Sequence, residues 1–190
     1  NRSLALDEAV SALGALGLGD EAVRLLERVV AAEAPPDGSE LILVRLLHKR
    51  RRSWARRDEV LTAYQEAHHG DFDASLTVAG LWLNYRKPDK ARQIGQRLRA
   101  QYPARFEVGL LIADVYRALG RPQQARAALS EAVTRAPERS KAALAVGQRY
   151  LALREYGRAV RWLNSALKGA SDKDTLRATH RGLVDALLGQ

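Results

Sequence analysis

The densest chemistry-bearing stretch is His48-Lys49-Arg50-Arg51-Arg52-Ser53-Trp54-Ala55-Arg56-Arg57, which sets six cations and an indole within ten residues. Cations at that density can hold phosphates, sulfates or an acidic protein patch, because a guanidinium presents a planar fork of donors to an anion's oxygens. Trp54 could stack on a base or sugar, or pack beneath the loop. The alternative for the whole run is a solvated turn. A second stretch, His68-His69-Gly70-Asp71-Phe72-Asp73, holds imidazoles and carboxylates, which can bind a divalent ion. Adjacent residues rarely converge on one ion, so Asp71 or Asp73 as a helix N-cap is the simpler role. Serine, histidine and aspartate occur without a nucleophile elbow or a glycine-rich phosphate loop. The chain has no cysteine, which removes disulfides, thiolate zinc sites and thiol nucleophiles. The expectation is a protein with no catalytic residues, no metal and no cofactor.

The surrounding charge is uneven. Residues 1–37 carry three arginines against seven acids, a net −4. Residues 38–105 carry 14 basic and 7 acidic side chains (+7), and residues 106–190 carry 14 and 8 (+6), so the whole chain is +9. An acidic end followed by a basic body can steer an acidic protein, an anionic polymer or nucleic acid, unless arginine simply coats solvated helix faces. The acidic start and the lack of a nucleic-acid-binding module argue against nucleic acid. No stretch approaches the roughly 18 apolar residues of a membrane span. The chain opens Asn1-Arg2-Ser3 with no methionine, which reads as a processed or excised product.

Helices must position these residues, since alanine, leucine and arginine dominate the composition and lose little on entering one. They recur with a fixed period. Tyr116 matches Tyr150, Ala125 matches Ala159, Leu129 matches Leu163 and Ala132 matches Ala166, each 34 residues apart. One step back, Trp82, Ala91 and Pro103 match Tyr116, Ala125 and Pro137, and with a one-residue slip Gly17, Ala22, Leu26 and Val29 rejoin the series. Gly17 and Gly120 fall where a first helix ends, Pro88 and Pro122 where a second begins, and Pro103 and Pro137 where it closes.

This pattern resembles the tetratricopeptide repeat, which has a small residue at position 8, an aromatic at 11, Ala at 20, a large apolar residue at 24, Ala at 27 and Pro at 32. Residues 106–139 supply Ala113, Tyr116, Ala125, Leu129, Ala132 and Pro137. Residues 140–173 supply Gly147, Tyr150, Ala159, Leu163 and Ala166, with Ser171 replacing the proline. Residues 72–105 supply Ala79, Trp82, Ala91 and Pro103 but depart at Gly95 and Leu98. The resemblance implies an all-α, right-handed α-solenoid of antiparallel helix pairs, about 11 helices in one domain over 1–190. Its units are about 3–37, 38–71, 72–105, 106–139 and 140–173, with a terminal helix at 175–188 that either caps the array or is cut from a longer one. Small side chains would let helix axes approach, and stacked units would share one core. Unit 38–71 fits worst, placing Arg45, His48 and Arg57 at positions 8, 11 and 20. Its second helix is expected near Asp58, with that carboxylate as cap.

In such proteins positions 2, 5, 9, 12 and 13 of the first helices line a groove. The resemblance thus nominates Ile42, Leu46, Leu76, Leu83, Asn84, Leu110, Asp114, Arg117, Leu144 and Gln148 as partner-groove residues. The row Ile42, Leu76, Leu110 and Leu144 at position 5 either receives an apolar segment or packs inside the array. Chaperone-binding members hold a C-terminal carboxylate with Lys and Asn, and the absence of Lys at position 5 and Asn at position 9 argues against that ligand. The implied function is a non-catalytic scaffold holding a protein partner. The composition also resembles the periplasmic scaffolds of bacterial outer-membrane exopolysaccharide (biofilm) exporters, where the partner would be an enzyme of the same pathway. The alternative is direct binding of an anionic polymer, polysaccharide or nucleic acid, through Lys49, Arg50, Arg51, Arg52, Trp54, Arg56 and Arg57. The sequence fixes no compartment, although the second resemblance leans to the periplasm.

Overall fold

Proline, glycine and aspartate set the helix boundaries in the computed structural model, which describes residues 2–50 and 53–189, with side chains from residue 5. Among the described residues there are eleven helices: α1 (Arg2–Ala15), α2 (Gly19–Val30), α3 (Ser39–Lys49), α4 (Trp54–Ala67), α5 (Phe72–Asn84), α6 (Pro88–Gln101), α7 (Phe106–Ala118), α8 (Pro122–Arg135), α9 (Arg139–Ala152), α10 (Tyr156–Gly169) and α11 (Lys173–Leu188). Pro88 and Pro122 open α6 and α8, where a missing N–H costs nothing. Asp71 accepts from the Ala74 N–H at 3.0 Å and caps α5. Asp172 accepts from the Thr175 N–H at 2.8 Å at the start of α11, and that bond holds its carboxyl below the usual carboxylate range. Among the described residues, no helix is long and apolar enough to cross a membrane.

The turn between paired helices repeats to the atom. Residues Gly17, Arg86, Gly120 and Arg154 occupy the same position 15 and are all left-handed, with φ of 77°, 58°, 70° and 56°. The N–H of the next residue then reaches back five positions, from Leu18 to Leu13 O, Lys87 to Trp82 O, Arg121 to Tyr116 O and Glu155 to Tyr150 O, at 2.8–2.9 Å. This Schellman-type closure satisfies carbonyls that the helix end would otherwise orphan. Three of the acceptors are the main-chain carbonyls of the aromatic residues at position 11, so the residue that sends a ring toward the neighbouring helices also anchors the turn through its backbone.

The chain divides into two compact units, residues 1–78 and 79–190. In the first, α1 packs on α2 and α3, α2 on α3, and α3 on α4. Its core holds Ala22, Leu26, Leu43, Val44, Leu47 and Leu61, all fully or almost fully buried. In the second, each helix from α6 to α11 packs on its sequence neighbour, while α9 also packs on α7 and α11. Ala91, Ala159, Leu163 and Ala166 are fully buried there, as the repeat positions require.

Small residues sit where helices touch. A Cβ on Gly147 would lie 2.7 Å from Leu163 Cγ, and one on Gly109 would lie 2.5 Å from Ala132 Cβ and 3.1 Å from Ala132 Cα. In 72–105 the sizes are exchanged: Gly95 at position 24 faces Ile112 and Leu111 of α7, while Leu98 at position 27 is buried. The volume is conserved although the pattern is not.

Two stability outcomes follow. Gly147→Ala gains about 1 kcal/mol of helix propensity but overpacks a seam where the intruded Leu163 is fully buried, at roughly 1–3 kcal/mol. A net loss of about 1 kcal/mol is expected in urea unfolding, whereas Gly157→Ala, which meets open space, should not destabilise. Arg154→Gly relieves a left-handed residue that costs about 1–2 kcal/mol, less the flexibility added to the unfolded chain, and should raise stability by roughly 0.5–1 kcal/mol.

Candidate functional site

Among the described residues, part of the basic run is engaged in ion pairs within the protein. Arg50 donates to Asp20 of α2. Arg56 reaches Glu27 of α2 at 3.5 Å and Glu59 at 3.1 Å. The acidic first repeat thus neutralises part of the run within residues 1–78. Arg57 is only 3% exposed. Its Nε and Nη2 donate to Asp58 Oδ1 at 2.9 and 2.5 Å, and its Nη1 donates to His48 Nδ1 at 2.9 Å. Arg57 and His48 stand at positions 20 and 11, so a hydrogen-bonded polar pair replaces the usual alanine and aromatic. Arg57 therefore leaves the candidate anion patch. Lys49 is exposed, and Arg51 and Arg52 lie outside the described residues.

The expected start of α4 also moves. The helix opens at Trp54, four residues before Asp58, whose carboxylate binds Arg57 instead of capping. Trp54 is 50% exposed at that end rather than packed beneath the loop, and the Arg57 guanidinium lies 5.9 Å from its ring centroid. Downstream, His68 donates from Nδ1 to Tyr64 O at 2.9 Å and stacks on the Tyr64 ring at 4.0 Å. His69 donates to Glu66 O at 2.9 Å, so these histidines finish α4. Burial, with Glu40 next in effect, pushes the Tyr64 phenol up. Among the described residues, no group of three or more His, Cys, Asp or Glu is placed to hold a metal.

The nominated groove residues separate by burial. Ile42 and Leu110 are 7% and 8% exposed, so half of the position-5 row is core. Leu110 lies one turn before Asp114, on the flank of α7 that meets α9. Leu46, Leu76, Leu83 and Leu144 are half-buried, and Asn84 and Gln148 are exposed. Leu46 and Leu76 belong to residues 1–78, and Leu83, Asn84, Leu144 and Gln148 to 79–190.

Within residues 79–190 the structure builds a charged cleft of about 140 Å³ along α7 and α9. Asp114 is the centre. Its Oδ1 lies 3.3 Å from Arg117 Nη2 one turn on, and its Oδ2 lies 3.0 Å from Arg149 Nη2 across the helix pair. Burial raises the Asp114 pKa, although Arg149 and Arg117 oppose the shift. Ala152 and the exposed Leu153 supply apolar surface beside the charges. Asp114 and Arg117 were readable from the repeat register. Arg149 was not, because it stands at position 10, outside the groove set. Its signal is an acid at position 9 followed, one repeat and one residue later, by an arginine.

Residues 107–139 match the family model of the tetratricopeptide repeat. The chain is also similar to the crystal structure of a tetratricopeptide repeat protein from Parabacteroides merdae, with 17% identity, a TM-score of 0.53, and 96% of this chain and 70% of that one covered. A second similar structure is MamA from AMB-1, with 20% identity, a TM-score of 0.47, and 85% and 95% covered. The comparison with curated proteins gives no match. The fold is thus an all-α helical-repeat fold of the tetratricopeptide type, and the matched segment coincides with the most regular unit.

The raised pKa of Asp114 has a direction that can be measured. A group whose folded pKa lies above its unfolded value stabilises fully below the unfolded pKa and loses that contribution as pH rises through the folded pKa. At neutral pH wild type has lost it, whereas Asp114→Asn never titrates. The variant should melt above wild type at pH 7, and the difference should vanish as pH falls through the carboxylate range.

Proposed function

We propose that this chain is a non-catalytic scaffold that holds a protein partner, with the α7–α9 cleft as a contact surface. The observation that carries this reading is Asp114, a half-buried carboxylate kept ionisable between Arg117 and Arg149 beside exposed Leu153. Charged groups placed at the edge of apolar surface select a partner by complementarity rather than by area. The tetratricopeptide fold supports a role in protein–protein interaction. The finer assignment, a bacterial exopolysaccharide-exporting assembly at the outer membrane, rests on compositional resemblance alone. Direct capture of an anionic polymer is disfavoured by the engagement of Arg50, Arg56 and Arg57 with Asp20, Glu27 and Asp58.

The test uses three immobilised baits, wild type, Arg117→Glu/Arg149→Glu and Lys49→Glu, against an extract of source cells, with circular dichroism confirming that each is folded. A protein retained by wild type and Lys49→Glu, but reduced roughly tenfold or more on the double variant, supports the cleft. Equal retention by the double variant sinks it. Loss on Lys49→Glu alone, with retention falling steeply as salt rises, would favour the anionic-polymer reading.

A further inference from the structure

The side of α7 opposite Asp114 and Arg117 carries a second, shallow cleft of about 20 Å³, bordered by the end of α6 and by α8. Its floor is apolar, formed by Val108, Gly109, Ile112, Ala128 and Ala132, and Gly109 there packs directly against Ala132. Its rim is cationic: Arg99 from α6, Arg105 from the α6–α7 loop and Arg135 from α8. Glu131 Oε1 accepts from Arg99 Nη2 at 2.5 Å and lies 2.8 Å from Arg135 Nη2. One carboxylate oxygen therefore gathers guanidinium groups from two helices. Arg105 pairs with Glu107 at 3.2 Å, so three arginines at this rim face two glutamates. The Arg99, Arg135 and Glu131 side chains are 40%, 50% and 35% exposed, so a partner can reach them.

We infer that this cleft is a docking site for an acidic–apolar segment of a protein partner. An aspartate or glutamate side chain is held by Arg99 and Arg135, and the neighbouring apolar side chain lies over Gly109. The charge excess at the rim matches an anion, and Glu131 shows that the two guanidinium groups converge on a carboxylate. The enclosed space, about 20 Å³, is far below the roughly 300–1,000 Å³ of a small-molecule pocket, so a partner's side chains lie across the rim rather than enter a cavity. The polar groups sit at the rim, so nothing on the floor orients a free metabolite, whereas a peptide side chain is oriented by its own backbone. The site uses none of the α7–α9 cleft residues, so it extends the scaffold reading without resting on it.

The test is ¹⁵N–¹H NMR of the full chain titrated into the millimolar range with acetyl-Glu-Leu-amide, acetyl-Gln-Leu-amide or sodium acetate. Saturable shifts at the Gly109 amide are expected with the glutamate peptide, roughly tenfold weaker with the glutamine peptide, as the loss of a charge-assisted pair implies. Arg99→Gln/Arg135→Gln should abolish them, and Glu131→Gln, which removes the resident carboxylate, should tighten binding several-fold. Arg117→Glu/Arg149→Glu should leave the titration unchanged, which separates this site from the other cleft. No saturable shift at Gly109, equal response to both peptides, binding of acetate as tight as that of the peptide, or weaker binding in Glu131→Gln would each overturn the proposal.

Discussion

Two helices can share a dry seam at close range only where one of them offers no side chain to the other, and much else in this structure depends on that constraint. Gly147 meets Leu163, and Gly109 meets Ala132, at separations that leave no room for a methyl group. The close approach lets modest side chains fill the interior, which is why a chain with only 6% aromatic residues can still bury its core. Across α7 and α9, Arg149 reaches Asp114 at 3.0 Å.

The second repeat shows what happens when the constraint is broken. Arginine at position 20 cannot be accommodated as alanine is, and burying its charge unpaired would be strongly unfavourable. The structure answers locally, with Asp58 taking the Nε edge and His48 accepting at Nη1. Asp20 and Glu27 on α2 then draw Arg50 and Arg56 toward the first repeat. What reads along the sequence as an acidic end and a basic cluster becomes, in part, an internal charge match, so net charge by segment overstates the field a partner would meet.

The legible part of the fold was the part written in local rules. Prolines at first turns, glycines at left-handed positions and small residues at 34-residue intervals each act within a few residues, so their positions alone located the helix pairs. The start of α4 is not legible in the sequence because Trp54-Ala55-Arg56-Arg57 reads as a loop of cations, although arginine is a good helix former and the first turn needs no side-chain cap here. Nothing in the residue type marks Arg86 and Arg154 as left-handed, because backbone geometry there is imposed by the turn's hydrogen bonds, not by side-chain preference. Arg99 and Arg149 were invisible as site residues for a different reason. Their partners are 32 and 35 residues away, and such pairings depend on the rotation between repeats, which no single repeat encodes.

That rotation also gives α7 its peculiar position. Val108, Leu111, Ile112, Ala113 and Val115 are buried along it, so the helix is clamped by its neighbours, while one edge holds Asp114 and Arg117 and the other borders Arg99, Arg135 and Glu131. A helix fixed this tightly resists small displacements, since moving it would open voids on one side and clashes at Gly109 on the other. Charge changes at one edge are then absorbed by exposed guanidinium groups before they reach the backbone. The two edges should behave as independent, additive surfaces rather than as a coupled pair, because additivity is the rule for sites that share no partner and no cavity. Under the proposed scaffold role, one helix would present two chemically distinct faces, and occupancy of one would leave the affinity of the other unchanged.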